Sequence, residues 1–301
     1  MRRRSRHVLW LASCIATGGL LHGTDAVRLR AIQVIHAGPA SIGLAAPEGV
    51  ACGDGRAWIA DTGNGRLVEL TAAADGYVAT SVVELPELAR PQRVRLAADG
   101  SFFVLDGRQR RIGRVDRSGS FLGWVDPSGA EPLGRVVPRG FDLGRDGRLY
   151  ILDIAGRRVL VTDAAGRVER RIGFAASAAF LSDVAVDPRG TVFAVDSVGR
   201  RLFRAPTDAS ELSPLSETLE GDLDFPTDLT ADPLGRLLVS DRHGGGIVIV
   251  GFDGSFRGRQ SSMGWRPGML RYPSGLCVNG NGELFVADTG NNRVQVFRVV
   301  E

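Results

Sequence analysis

Leu284-Phe285-Val286-Ala287-Asp288 is a short apolar run that stops at an aspartate, and the chain repeats it. The same pattern ends at Asp61 (after Trp58-Ile59-Ala60), Asp106 (Phe103-Val104-Leu105), Asp153 (Tyr150-Ile151-Leu152), Asp196 (Phe193-Ala194-Val195) and Asp241 (Leu238-Val239-Ser240). The intervals between the six aspartates are 45, 47, 43, 45 and 47 residues. Short strands and Gly-containing turns at such a period predict a β-propeller, one blade per repeat.

Counted back from its aspartate, each unit begins fifteen residues earlier (fourteen in the first), usually at proline: Pro47, Pro91, Pro138, Pro226 and Pro273, with Leu181 the exception. An apolar strand follows, then a turn holding Gly55, Gly100, Gly147, Gly190, Gly235 or Gly282. Pairs such as Asp99-Gly100 and Asn281-Gly282 suit the positive φ of tight hairpins. The second strand ends on the aspartate, and third and fourth strands complete the unit. The expected fold is all-β: six four-stranded antiparallel blades. The sixth unit reaches Glu301 after only its third strand. Arg28 to His36 reads as a strand and is expected to complete that last blade, leaving no open edge in the ring.

Tyr272-Pro273-Ser274-Gly275-Leu276-Cys277-Val278, followed by Leu284 to Asp288 and Thr289-Gly290-Asn291-Asn292-Arg293-Val294, resembles an NHL repeat. Ala60-Asp61-Thr62-Gly63-Asn64-Gly65-Arg66 is similar, and the middle units keep the frame. The resemblance spans about residues 45–300 and implies a six-bladed propeller of bacterial, extracytoplasmic type. It implies little about function, because one fold carries many functions.

The first residues read as an export signal. Arg2, Arg3, Arg4 and Arg6 precede a largely apolar stretch from Val8 to Leu21, and small residues precede a cleavage after Ala26. This reading makes 1–26 a signal peptide and 27–301 a single propeller domain, periplasmic or secreted. A second reading is a lipobox, Leu11-Ala12-Ser13-Cys14, with a lipid on Cys14 as the sole membrane attachment. The leader carries four Arg and one Asp, which accounts for the whole formal charge of +3 and leaves 27–301 neutral. Neutrality argues against a nucleic-acid partner. Every basic residue other than His is Arg, so lysine nucleophiles and Schiff bases are excluded.

The six aspartates invite reading as chemistry. The structural reading is stronger: each carboxylate accepts N–H bonds from the loop after it, a turn that every blade makes. Five of them are followed at the fifth place by Arg66, Arg111, Arg158, Arg201 or Arg293, expected to pack on that loop or bond its carbonyls. Function is sought where the units differ. Two places after the unit start stand Gly49, Arg93, Gly140, Asp183, Asp228 and Gly275; four places after it stand Ala51, Arg95, Asp142, Ala185, Thr230 and Cys277. Inner strands ring the channel, so Arg93, Arg95, Asp142, Asp183 and Asp228 are expected to meet at its mouth. They form either a ligand site or inter-blade ion pairs such as Arg95 with Asp142. On the first alternative, Arg93→Ala or Asp228→Ala should weaken binding without unfolding the domain. The fifth unit reads Asp241-Arg242-His243-Gly244-Gly245-Gly246, which makes His243 a further candidate ligand contact, or the loop merely a divergent turn.

Cys52 and Cys277 lie on the first and last inner strands, neighbours in a closed ring. Packed sheets lie about 10 Å apart and a disulfide needs Cα atoms within about 7 Å. That spacing favours two small buried thiols over a bridge.

Two relatives of the fold suggest enzymes. Resemblance to the peptide-amidating lyase implies a zinc held by His side chains, but 27–301 contains only His36 and His243. Resemblance to gluconolactonase-like propellers implies a divalent cation, for which Asp183 and Asp228 are the candidates and Glu48 an isolated match. No nucleophile–base set is visible. The leading expectation is a non-catalytic, monomeric propeller without a cofactor, binding a protein, peptide or glycan at the channel mouth. The alternative is a metal-dependent hydrolase or lyase.

Overall fold

The computed structural model describes residues 27–300, apart from Asp54, Glu217, Thr218 and Glu220. The leader and Cys14 lie outside the described residues. Six four-stranded antiparallel sheets form a ring. Blades 1 to 5 take 49–83, 91–125, 138–173, 181–216 and 226–260 in turn, and blade 6 takes 273–300. The outer strand of blade 6 is Arg28–Ile35, which runs antiparallel to Arg293–Val300, from Arg28 opposite Val300 to Ile35 opposite Val294. The expected closure of the ring by the N-terminal strand is therefore what the topology shows. Among the described residues no helix is long and apolar enough to cross a membrane.

The strand pattern follows from the ring. A second strand has a neighbouring blade on each face, so Phe102–Asp106, Leu149–Asp153 and Val192–Asp196 are buried at every position. Outer strands such as Phe121–Val125 have solvent on one side and mix buried with exposed positions. The apolar core is divided into six clusters, one at each seam between blades. Aromatic rings bridge several seams: Trp58 stacks on Phe102 at 4.6 Å, and Tyr77 meets Phe285 edge-on at 4.8 Å. The glycine of each first hairpin turn has φ between +72° and +85°, where a side chain would be strained.

In blades 2 to 6 the ladder slips by a step just after the first residue of the inner strand. Such a bulge turns the next side chains off the regular alternation. The slip precedes Arg93, Asp183 and Asp228, which is how these three come to face across the channel. Gly140 occupies the same place in blade 3 for a steric reason: a Cβ there would lie 2.2 Å from Asp183 Oδ1 and 3.0 Å from its Cα. Gly140→Ala is expected to cost about 1–3 kcal/mol by overpacking. The check is a lower urea midpoint with an unchanged slope.

One expectation is overturned at the seam between blades 1 and 6. Cys52 and Cys277 are joined in a disulfide, with Cα atoms 5.8 Å apart. The spacing of about 10 Å holds for sheets packed face to face. Inner strands of wedge-shaped blades converge on the axis, and there the backbones come close enough to bridge.

Candidate functional site

The expected backbone bonds from the loop after the aspartate are present at Asp106, Asp153 and Asp196, while what all six share is a bond to the connection before the blade. Each accepts an N–H from sixteen residues earlier (seventeen for Asp288), in the connection that leads into its own blade. The donors are Ala45, Arg90, Val137, Phe180, Phe225 and Arg271, at 2.6 to 3.0 Å. Asp106 and Asp196 also accept from the loop that follows, at Gln109 and Gly199. All six are fully buried. Arg66, Arg158 and Arg293 pair with their aspartates at 2.6 to 3.0 Å and donate onward to carbonyls of the incoming connection. Each aspartate thus staples two loops on one face of the ring. Arg111 departs from the pattern by pairing with Asp126 over the Trp124 ring.

Blade 5 lacks that arginine because Gly246 stands in its place. Arg259 of the outer strand takes the role: its Nη1 bonds Asp241 at 2.8 Å and the Asp222 carbonyl at 2.9 Å. Gly244 leaves the room, since a Cβ there would lie 2.0 Å from Arg259 Nη2. Arg259→Leu leaves a buried carboxylate without its cation, and a loss of about 1–3 kcal/mol is expected in thermal unfolding.

The sequence-selected channel residues come together as one cluster. Arg93 of blade 2 spans the channel to both Asp183 of blade 4 and Asp228 of blade 5. Its Nη2 also donates to the Thr227 carbonyl at 3.0 Å. Arg95 bonds Asp142 of blade 3 at 2.8 Å and lies 3.6 Å from Asp183. Asp142 and Asp228 each accept a backbone N–H from the next blade, at Val186 and Leu276. Five blades are therefore tied by one charged clasp. Burial pushes the Asp183 carboxyl above its ordinary range, against the pull of Arg93 and Arg95. Burial likewise draws the Arg93 guanidinium below its usual value, with Asp183 resisting. Among the described residues Asp183 Oδ1 has no hydrogen-bond partner.

The clasp divides the channel into two mouths. One is a cavity of about 330 Å³ whose walls include Arg95, Asp142, Arg145, Asp187 and Thr230, a balanced set of charges. The other, at the starts of the inner strands, is about 250 Å³ and is walled by Glu48, Arg90, Gln92, Arg139, Thr227 and Arg242, with Arg93 at its floor. Arg90 pairs with Glu48 at 2.6 Å. Arg139 and Arg242 have no carboxylate partner among the described residues. Their guanidinium groups lie over Phe180 at 5.4 Å and Tyr272 at 5.9 Å. His243 is not in the clasp. Its exposed ring stacks on Phe225 at 4.7 Å and meets Tyr272 edge-on at 6.3 Å, so it buttresses the wall that carries Arg242.

Arg139 and Arg242 escape a reading confined to places two and four of the repeat. The place just after the unit start reads Glu48, Gln92, Arg139, Ser182, Thr227 and Ser274, polar in all six units, and five of these line the smaller mouth. The residue after each repeated aspartate reads Thr62, Gly107, Ile154, Ser197, Arg242 and Thr289, of which only Arg242 is charged. Thr62, Ser197 and Thr289 donate to Pro91, Pro226 and Pro47 of the next blade, so in three units this place is an inter-blade link. Among the described residues no three His, Cys, Asp or Glu side chains are grouped to hold a metal ion. Asp183 and Asp228 face a guanidinium, which stands where a cation would.

Residues 270–297 match the family model of the NHL repeat. No curated protein matches the sequence. Among solved structures, virginiamycin B lyase from Staphylococcus aureus is similar with a TM-score of 0.62 and 13% identity, over 91% of this chain and 100% of that one. A gluconolactonase from Xanthomonas campestris has a TM-score of 0.66 and 16% identity, over 92% and 91%. Hydrazine synthase from Kuenenia stuttgartiensis has a TM-score of 0.58 and 13% identity, over 87% and 97%. At such identities the likeness is one of fold. The chain is thus a six-bladed β-propeller that carries an NHL repeat at residues 270–297.

Proposed function

We propose that this propeller is a non-catalytic binding module of the cell envelope or medium, which holds a protein segment, peptide or glycan at the smaller channel mouth. The observation that carries the reading is the state of Arg139 and Arg242. Their guanidinium groups lie over aromatic rings, yet their N–H donors are not taken up by any carboxylate among the described residues. A disulfide at the ring seam supports an oxidising, extracytoplasmic location. A metal-dependent hydrolase or lyase is less favoured, because Asp183 and Asp228 already hold Arg93.

Peptide and glycan arrays probed with the purified protein test the proposal. Captured ligands should be lost with Arg139→Gln and Arg242→Gln, and kept with Arg145→Gln at the opposite mouth. Retention by the first pair of variants, or loss only with the third, would place binding elsewhere.

A further inference from the structure

We infer that the smaller mouth is selective for a ligand segment that carries two carboxylates close together, as at an acidic peptide end, with a small polycarboxylate as its simplest mimic. The inference rests on that mouth being the ligand site and adds the chemical class of what it holds. Arg139 comes from blade 3 and Arg242 from blade 5, yet both line one cavity of about 250 Å³. That volume falls below the usual range of drug-sized pockets, about 300–1,000 Å³, so only a short part of the ligand is seated in it. Two guanidinium groups on separate walls, without a carboxylate partner among the described residues, call for two anionic groups on one molecule.

A guanidinium is a planar fork of donors that matches a carboxylate with two parallel bonds. Here each fork lies over a ring face (Phe180 under Arg139, Tyr272 under Arg242), a contact that lowers the ordering left to do when a ligand arrives. Gln92, Thr227 and Ser274 add polar atoms to the lining. Glu48, paired with Arg90, repels a carboxylate from its own wall and so directs it toward Arg139 and Arg242. Below lies Arg93, already matched by Asp183 and Asp228, which closes the floor without adding attraction for an anion. The neutral total charge of 27–301 conceals this local excess. The opposite mouth, with two Arg and two Asp in its walls, has no such preference.

The probe is citrate, titrated calorimetrically into the full chain at low salt, with trimethyl citrate as the uncharged control and inorganic phosphate as a compact anion. Saturable one-to-one binding of citrate is expected, with none for the ester and weaker binding for phosphate. Arg139→Gln and Arg242→Gln should each weaken citrate roughly tenfold while the unliganded melting temperature stays in place. Arg145→Gln should leave the affinity unchanged. Citrate that fails to saturate, binds no better than its ester, or binds less tightly than phosphate overturns the two-carboxylate segment. If array ligands still depend on Arg139 and Arg242 in that event, the mouth remains the site and only the ligand class fails. Citrate binding that survives both mouth variants overturns the location instead.

Discussion

Reducing the Cys52–Cys277 disulfide should lower the stability of the ring by about 3–5 kcal/mol. The bridge joins residues 225 apart in sequence, so in the reduced unfolded chain a very long loop is released. On the chain-entropy account that release is worth about 5 kcal/mol at most, and native-state relaxation trims it. The seam has a second latch on its outer side, the strand Arg28–Ile35 laid against Arg293–Val300. The apolar cluster between them, with Ile59, Val68, Phe285 and Val294, is a third contribution. Reduction is therefore expected to weaken the ring without opening it. Urea unfolding with and without a phosphine reductant measures the difference, and Cys52→Ala with Cys277→Ala should reproduce it. A loss below about 1 kcal/mol would mean that strand and cluster hold the seam unaided.

The blades were legible because their signals are local and repeated. An apolar run, a Gly turn and an aspartate appear six times, and each copy corrects the noise in the others. The bridge was not legible for a geometric reason: the distance between two inner strands depends on how sharply the blades converge, which no repeat records. The Arg259 substitution in blade 5 was hidden for a related reason. Its role is defined by a place in space beside Asp241, and the sequence supplies it from another strand. The channel charges stand between these cases. Register brought Arg93, Arg95, Asp142, Asp183 and Asp228 to one axis correctly. In the fold they form a clasp: Arg95 and Asp142 also line the larger mouth, Arg93 floors the smaller one, and Asp183 and Asp228 are buried. The rest of the smaller mouth comes mostly from residues one place earlier, which register did not single out.

Arg93→Ala is expected to be among the most damaging single changes in the channel. The sequence reading has this substitution spare the fold; the geometry says otherwise. Arg93 is the cation shared by Asp183, which is fully buried, and Asp228, which is nearly so. Removing one partner of a buried ionic cluster leaves uncompensated charge, at a cost of about 3–5 kcal/mol. The pH dependence gives the mechanism a signature. Burial already raises the Asp183 pKa, and Arg93 is the largest influence opposing that rise. Without Arg93 the pKa climbs further. A carboxyl whose folded pKa exceeds its unfolded one binds more protons when folded, so its stabilising contribution is present at low pH and lost as pH rises through the folded pKa. The deficit of Arg93→Ala against the parent should accordingly be larger at pH 8 than at pH 5. Adding Asp183→Asn and Asp228→Asn to Arg93→Met removes the buried charge while keeping its shape, and should recover most of the loss. A deficit that is flat across this pH range, or a triple variant no better than Arg93→Ala, would show that Arg93 acts through packing and not as the counter-ion that holds the blades together across the channel.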